Sequence, residues 1–544
     1  MSLLRRTQRL LRLSSKYTSR NCRYLSDASK LNSRRDKIKQ GPGLKEFIMG
    51  DSEPVLPDRP HIPYLPENIT FASKRKVFFD VYGCQMNLND TEIVWSILKK
   101  EGFEKTEVEE EADIFLVMTC AIREGAETKI WHRLDHLRGF KRRRALKNKE
   151  TPVKIGLLGC MAERLKTKLI EKEKAVDVVA GPDSYRDLPR LLALTDSGQT
   201  AVNVLLSLDE TYADVVPVRL NQDSVSAFIS IMRGCDNMCT YCIVPFTRGK
   251  ERSRRARSVL DEVRHLAAQG VKEVTLLGQN VNSYRDTSED TERLDTRLAK
   301  GFKTVYKSKK GGLRFAELLD QVSAAAPDMR VRFTAAHPKD FPDEVLDVIN
   351  SRANICKLLH LPAQSGSSAV LERMRRGYTR EAYLDLVDHV QKTIPGGMSQ
   401  VLVKWVQQLQ AAPGKLTWTS KTAAHRRYAD DVPAAVKKLR HRRMVALYRA
   451  HSQALNEAEI GNTHLVLIEG AVIKTGQLLG RNEFYLKVVF EQQEILTEDN
   501  GRRPMKPGDF VAVKITAARA SVLTGTQVIG PLLGSWVLRK LISD

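Results

Sequence analysis

The stretch Arg233-Gly234-Cys235-Asp236-Asn237-Met238-Cys239-Thr240-Tyr241-Cys242 carries three cysteines in the spacing C-x-x-x-C-x-x-C. An apolar run, residues 227–232, precedes it, so the pattern predicts a strand that ends in a loop with three thiols on one rim. Three thiolates can hold a four-iron, four-sulfur cluster and leave the fourth iron open to another ligand. The alternative is a structural zinc site, which normally has a fourth Cys or His. Because no His lies near this loop, the spacing favours the cluster.

The composition bounds the class of protein. With 544 residues, the chain is long enough for several domains. Lys and Arg number 88 against 65 Asp and Glu, and the net charge of +23 suggests a polyanionic partner, most simply nucleic acid. Solvated surface charge together with a basic targeting peptide is the alternative. Eight cysteines are too few for a disulfide framework in a chain of this length and indicate a reducing compartment. No apolar run is long enough to predict membrane insertion.

The start of the chain is basic and free of acidic residues. Residues 1–26 interleave Arg and Lys with Leu and Ser, and the first acid is Asp27. This composition predicts a mitochondrial transit peptide and therefore a mitochondrial location. A disordered basic arm that binds RNA is the alternative. Residues 27–73 are polar and rich in Pro and Gly, which is typical of a linker.

Three lone cysteines follow three strand-like runs in the next domain, residues 74–200. The runs 76–82, 112–118 and 153–158 end just before Cys84, Cys120 and Cys160, and helix-like segments separate them. This alternation predicts a parallel α/β sheet, whose carboxyl strand ends meet at one edge. A single Cys after a strand is usually only a small buried apolar residue. Three of them in equivalent positions favour a second metal cluster.

Repeated strand–helix units also fill residues 221–455. They predict an open or partial TIM-type barrel whose active face collects the carboxyl ends of its strands. Four polar side chains are expected on that face: Gln279, Asn280, His337 and Gln364, the last after a strand predicted over 357–361. Each of them is equally compatible with capping a turn.

The end of the chain changes character. Residues 432–458 predict a basic helix, and the short alternating runs of residues 460–535, punctuated by Gly and Pro, predict a small β-barrel. In this barrel, Phe484, Tyr485 and Lys487 could offer base stacking and phosphate contacts. Ordinary core and surface roles for the same three residues are the alternative.

The contexts of the six cysteines resemble the methylthiotransferase family, the MiaB group of tRNA-modifying radical S-adenosylmethionine enzymes. The matching pieces are residues 82–87, 119–123, 159–162, 231–245, 276–284, 332–334, 337–338 and 361–367. The terminal barrel resembles the TRAM domain, an RNA-binding module. The resemblance therefore implies a radical domain between an N-terminal domain with an auxiliary cluster and a C-terminal RNA-binding domain.

The resemblance implies a role for each cysteine. Cys84, Cys120 and Cys160 would bind the auxiliary [4Fe–4S] cluster, and Cys235, Cys239 and Cys242 the radical [4Fe–4S] cluster. Gln364 is a further candidate for cofactor binding, and no catalytic side chain is assigned. The implied reaction uses two S-adenosylmethionine molecules to place a methylthio group on C2 of an N6-isopentenyladenosine beside the tRNA anticodon. An unactivated aromatic C–H offers no acid–base handle, so a radical cofactor has to supply the difficult step.

The implied partners are the tRNA anticodon loop, an electron-donating reductase and the Fe–S assembly machinery; the resemblance alone raises a kinase-regulatory protein as well. Other members of the family act on threonylcarbamoyl-adenosine or on a ribosomal protein, and these remain alternatives. Residues 399–419 depart from the family pattern, in which they would complete the barrel and one wall of the cofactor pocket. A catalytically inactive RNA- or protein-binding variant is therefore the other alternative.

Overall fold

The computed structural model describes residues 74–121, 124–147, 152–288, 301–303, 311–394, 421–429, 431–496 and 501–528. They all belong to one unit of packed structure, residues 68–544. The expected transit peptide, the linker and the departing segment 399–419 lie outside the described residues. None of the helices in the described ranges is both long and apolar enough to cross a bilayer.

A parallel sheet with helices on both faces forms the N-terminal part. Its elements are β1 (Lys76–Val81), α1 (Gln85–Lys100), β2 (Glu104–Lys105), β3 (Ile114–Thr119), α2 (Glu124–Leu146), β4 (Lys154–Gly159), α3 (Cys160–Leu165), α4 (Thr167–Lys172), β5 (Val178–Ala180), α5 (Leu188–Asp196) and β6 (Ala201–Asn203). The strands run in the order β2-β1-β3-β4-β5-β6, all parallel. Strands β3 and β4 are buried along their whole length, because apolar side chains from the helices cover both faces. The predicted α/β class is confirmed.

A second α/β region follows, in the residues that the resemblance assigns to the radical domain. Its elements are β7 (Ser226–Ser230), β8 (Met232–Arg233), α6 (Val244–Thr247), β9 (Arg252–Ser253), α7 (Ala256–Ala268), β10 (Glu273–Leu277), β11 (Arg285–Asp286), β12 (Leu313–Arg314), α8 (Phe315–Ala325), β13 (Arg330–Phe333), α9 (Asp343–Ser351), α10 (Ser368–Arg373), α11 (Arg380–Thr393), α12 (Ala423–Arg427) and α13 (Ala434–Glu457). Strands β13, β10 and β7 pair in parallel in that order. These three strands, called the radical strands below, place their carboxyl ends at one edge, as a partial barrel requires.

The strand predicted over residues 357–361 is wrong. In the structure this segment meets β13 through a single parallel bridge, between Val331 and Ile355. Its later carbonyls accept hydrogen bonds from side chains instead of a neighbouring strand: the Tyr383 hydroxyl donates to the Leu361 carbonyl (2.7 Å) and the Tyr378 hydroxyl to the Ala363 carbonyl (3.2 Å). The apolar run is therefore an extended buried segment rather than a ladder strand.

A closed five-stranded barrel forms the C-terminal part. Its elements are β14 (Thr463–Ala471), β15 (Leu478–Arg481), β16 (Lys487–Phe490), β17 (Glu494–Leu496), β18 (Arg502–Pro504), β19 (Phe510–Arg519) and β20 (Val522–Gln527). The barrel closes in the order β14-β15-β16-β20-β19, and β17 and β18 form a separate hairpin. The C-terminal end of the basic helix α13 is fixed to the barrel, because the Asn456 side chain donates to the Arg519 carbonyl (2.7 Å).

Two buried arginines dock the barrel on the amino ends of the radical strands. Arg330 donates to the Leu465 carbonyl (3.0 Å), and Arg332 donates to the Asn482 (2.7 Å) and Glu483 (2.6 Å) carbonyls. The ring of Tyr485 lies 5.1 Å from the Arg332 guanidinium, a cation–π contact. Tyr485, a candidate for base stacking, is thus engaged in domain docking. Of the other two candidates, Phe484 lies edge-on to His464, whereas Lys487 is exposed.

A buried carboxyl on α1 makes the fold sensitive to pH. Burial, and secondarily the charge of Glu262, raises the pKa of Glu92 to about 7, and the Leu220 amide donates to its Oε1 (3.4 Å). The folded state therefore prefers the protonated carboxyl. Its contribution to stability is complete below the unfolded pKa near 4.5 and is lost as the pH rises through 7.

We expect Glu92→Gln to be more stable than the native protein at pH 8 by about 3 kcal/mol, since each pKa unit corresponds to about 1.4 kcal/mol. At pH 4.5 the two proteins should unfold at the same urea concentration. Urea unfolding followed by circular dichroism at both pH values measures this difference. An equal gap at pH 8 and pH 4.5 would contradict the role of the carboxyl proton.

Candidate cluster-binding site

The first cysteine triplet lies at the carboxyl ends of three adjacent strands. Thr119 of β3 pairs with Gly159 of β4, so Cys120 and Cys160 follow directly from neighbouring positions. Cys84 follows β1 and is the N-cap of α1, where its side chain makes no capping hydrogen bond. Gly83 has a φ of +115°, and a Cβ there would lie 2.7 Å from the Cβ of Cys120. The close approach of Cys120 to the Cys84 turn therefore requires glycine at this position.

Arg248 contacts the triplet from the radical domain. Its Nε donates to the Cys160 Sγ (3.3 Å), and its Nη2 donates to Asp90 Oδ2 (2.7 Å) and Asn87 Oδ1 (3.3 Å). The other oxygen of Asp90 accepts from Arg233 Nη1 (2.7 Å), two residues before the second triplet. Asp90, Arg233 and Arg248 are all at most 3 % exposed. A buried ion-pair network thus joins the two cysteine motifs.

The electrostatics around Cys160 suit an anionic group. Burial raises the pKa of the Cys160 thiol, and the positive charge of Arg248 opposes that rise. The Nη1 atom of Arg248 is buried and has no hydrogen-bond partner among the described residues. A buried cationic donor without an acceptor is costly, so its place beside the thiols fits a negatively charged iron–sulfur cluster.

The second triplet lies in the loop between β8 and α6. Gly234 has a φ of +75°, and a Cβ there would collide with the Lys250 carbonyl, so the tight entry to Cys235 requires glycine. Arg376 Nη1 lies 3.5 Å from the Cys239 Sγ. Burial, more than the neighbouring thiols, raises the pKa of Cys235, and burial raises the pKa of Cys242 to about 11. These thiols are therefore protonated in the apoprotein, and they would release protons on binding a metal.

Apolar packing holds the two triplets against each other. Cys160 packs in one small buried group with Ala121, which follows Cys120, and with Ile243, which follows Cys242. The structure thus brings both motifs to one region, with helices α3 and α6 between them.

Within the described residues, no three His, Cys, Asp or Glu side chains converge on a single metal ion. A four-iron cluster places each thiolate on a different iron, so its ligands do not need to converge on one point.

The remaining candidates lie in loops at the carboxyl ends of the radical strands. Asn280 holds the backbone there: its Oδ1 accepts from the His337 amide (3.1 Å), and its Nδ2 donates to Asp340 (3.0 Å). His337 is buried, and burial together with the charge of Arg376 lowers its pKa well below the ordinary value, so it is neutral. Gln279 Oε1 is buried without a partner among the described residues.

Gln364 lies in an exposed turn with a φ of +67°, a backbone strain that is often found at ligand sites. Arg376 connects this turn with the radical loop, because its Nη2 approaches the Pro362 carbonyl (3.4 Å) while its Nη1 approaches Cys239. Sequence reasoning assigned no role to Asp90, Arg248 or Arg376. The only local signal was that Arg248 begins a basic run directly after the cysteine loop.

Family models match three parts of the chain. Residues 76–181 match the uncharacterized protein family UPF0004, residues 229–403 the radical SAM superfamily, and residues 457–528 the TRAM domain. The mitochondrial tRNA methylthiotransferase CDK5RAP1 of Rattus norvegicus is 50% identical over 518 residues, covering 90% of this chain and 88% of the relative. The chain belongs to the MiaB-type methylthiotransferases.

Two further relatives support the same family. The Homo sapiens protein of the same name is 49% identical over 533 residues, and the match covers 90% of this chain and 88% of the human protein. A tRNA-2-methylthio-N(6)-dimethylallyladenosine synthase of Chloroherpeton thalassium is 44% identical over 475 residues, covering 84% and 96%. As a MiaB-type methylthiotransferase of the radical SAM superfamily, the chain is a transferase that uses S-adenosylmethionine. The recognition of the family from the cysteine contexts is confirmed.

Proposed function

We propose that this methylthiotransferase converts N6-isopentenyladenosine beside the tRNA anticodon into its 2-methylthio derivative, in mitochondria. The observation that carries the proposal is the buried network that joins two cysteine triplets, one on each α/β layer. Relatives with half of the residues in common bear the name mitochondrial tRNA methylthiotransferase. The basic, acid-free residues 1–26 support the location.

Each triplet takes one part of the reaction. Cys235, Cys239 and Cys242 would hold the radical cluster, and Cys84, Cys120 and Cys160 the auxiliary cluster that carries the sulfur to be transferred. When bound, the clusters and two S-adenosylmethionine molecules supply the radical and the methylthio group. The protein orients the thiols through hydrogen bonds from Arg248 and Arg376. Loss of such outer contacts typically costs a metal site about 10- to 100-fold in affinity or activity. His337 is neutral and therefore adds no positive charge at the carboxyl ends of the radical strands.

The RNA side of the proposal rests on chemistry and charge. The target base is in a loop, where an unstacked base can leave its neighbours at low cost and enter a pocket. The charge of +23 suits a tRNA backbone. An electron-donating reductase and the Fe–S assembly machinery are the partners that this chemistry requires.

Mass spectrometry of tRNA nucleosides tests the substrate. Cells depleted of this protein should lose 2-methylthio-N6-isopentenyladenosine from mitochondrial tRNA and regain it when the native chain is restored. A chain with Cys160→Ala should fail to restore it. Loss of the methylthio group from threonylcarbamoyl-adenosine instead would show that the substrate is the alternative nucleoside.

The inactive variant is the second candidate, because the radical SAM match ends at residue 403, inside the segment that departs from the family pattern. Anaerobic incubation of the reconstituted protein with S-adenosylmethionine and dithionite separates the two. Formation of 5′-deoxyadenosine supports the enzyme. Its absence from protein that carries both clusters would favour a binding protein.

A further inference from the structure

A short segment after the departing region borders both cysteine triplets. Lys421 donates to the Arg164 carbonyl (2.8 Å) at the end of α3, the helix that begins with Cys160. Three residues later, the Ala424 amide donates to the carbonyl of Thr240, inside the second motif (2.7 Å). Helix α12 therefore lies at the rim of the region where the two motifs meet.

Exposed cations gather along this rim. They are Lys166, Lys168, Lys421, Arg426 and Arg427. Burial and then the charge of Lys166, with further contributions from Arg164 and Lys168, lower the pKa of Lys421, so Lys166, Lys168 and Lys421 lie close enough to repel one another. The acid nearby, Glu163, is 1 % exposed and pairs with Lys166 (3.0 Å). The rim therefore carries an excess of positive charge.

Several other cations of the N-terminal domain are paired. Arg133 bonds Asp80, Lys141 bonds Asp177, and Arg164 itself bonds Glu127 through its side chain. In contrast, the side chains of Lys168, Arg426 and Arg427 form no ion pair or hydrogen bond with any residue that the structure describes. Unpaired like charges held together by the fold lower stability unless an anion binds there.

We propose that Lys166, Lys168, Lys421, Arg426 and Arg427 form a phosphate-binding rim, which holds the backbone of the substrate RNA beside the region where the two cysteine triplets meet. This inference rests on the proposed function, because that function makes the polyanion an RNA. The backbone contacts position the strand and carry no sequence information, so the choice of base depends on contacts with the base itself.

The test compares two triple variants with the same change in charge. The rim variant is Lys168→Gln, Arg426→Gln, Arg427→Gln. The control is Arg142→Gln, Arg143→Gln, Lys147→Gln, which removes three exposed cations from the far end of α2. That end lies at the amino edge of the sheet, away from the cysteines, since Arg144 pairs there with Asp113 just before β3 (3.0 Å).

Fluorescence anisotropy should measure binding of an isopentenylated anticodon stem-loop RNA between 50 and 300 mM KCl. Each lost phosphate contact reduces the slope of log K against log[KCl] by about 0.7. We expect the rim variant to lose about 2 units of slope and the control to keep the native slope. The charge-conserving triple variant Lys168→Arg, Arg426→Lys, Arg427→Lys should keep the native slope.

Equal slopes for the rim variant and the native protein would overturn the proposal that the rim binds phosphate, and they would leave the proposed function intact. Equal losses in the rim and control variants would also overturn it, because the effect would then come from net charge alone. If the native protein binds no stem-loop RNA, the proposed function falls together with the rim.

Discussion

Alanine at Cys239 is expected to abolish cleavage of S-adenosylmethionine, whereas alanine at Cys160 is expected to leave cleavage in place and abolish methylthiolation. The two residues belong to separate triplets that meet at one buried network, so each variant should lose one cluster and keep the other. Native protein reconstituted anaerobically should hold about eight irons, and each variant about four. Cleavage is measured as the formation of 5′-deoxyadenosine, and methylthiolation is measured as the formation of the modified nucleoside.

Cys356 provides the matched control for these variants. It is a buried cysteine, 2 % exposed, on the extended segment beside β13 and outside both motifs. Cys356→Ala should retain about eight irons and both activities. Loss of S-adenosylmethionine cleavage in Cys160→Ala and Cys239→Ala alike would contradict separate roles. Native protein with about four irons, or with zinc alone, would contradict two clusters.

The replacement of Asp90 by Asn should destabilise the protein by about 3–5 kcal/mol, the cost of breaking a buried ion pair and leaving its partner uncompensated. Asp90 is fully buried and bonds Arg233 and Arg248 at 2.7 Å each. Asn keeps the shape and one acceptor but loses the charge that two guanidiniums require. The midpoint of urea unfolding, followed by circular dichroism, measures the loss.

Asp261→Asn is the control for Asp90→Asn. Asp261 pairs with Arg264 at 3.0 Å, but both side chains are more than half exposed. Water and salt screen such a pair, so the control should unfold at the native urea concentration. If both variants shifted the midpoint equally, or neither did, the buried network would not stabilise the junction of the two domains.

The sequence predicted those parts of the fold that repeat a local pattern. An apolar run followed by Gly or Thr and then Cys located Cys84, Cys120 and Cys160 at strand ends. The signal is clearest for β3 and β4, because burial on both faces leaves an apolar strand. The segment after β4 forms two short helices, α3 and α4, instead of one, since Lys166 takes a φ of +53°. A lysine gives no local sign of that conformation.

The contacts that assemble the site were beyond local patterns. Arg233 and Asp90 are 143 residues apart, and Arg248 and Cys160 are 88 residues apart. Which buried charges meet depends on how two sheets pack, and a basic run such as 248–255 resembles an RNA-binding surface until its partners are known. In the structure, Arg248, Arg252 and Arg254 are buried in ion pairs with acids.

The barrel docks at the amino ends of β7, β10 and β13, whereas the cysteine loop leaves the opposite end of β7. A five-residue strand is about 17 Å long, so any molecule that touches both ends has to span at least that distance. A free nucleoside is too small to do so, while a folded stem-loop is long enough. The docking of the barrel therefore sets a minimum length for any substrate that contacts both the barrel and the cysteine loop.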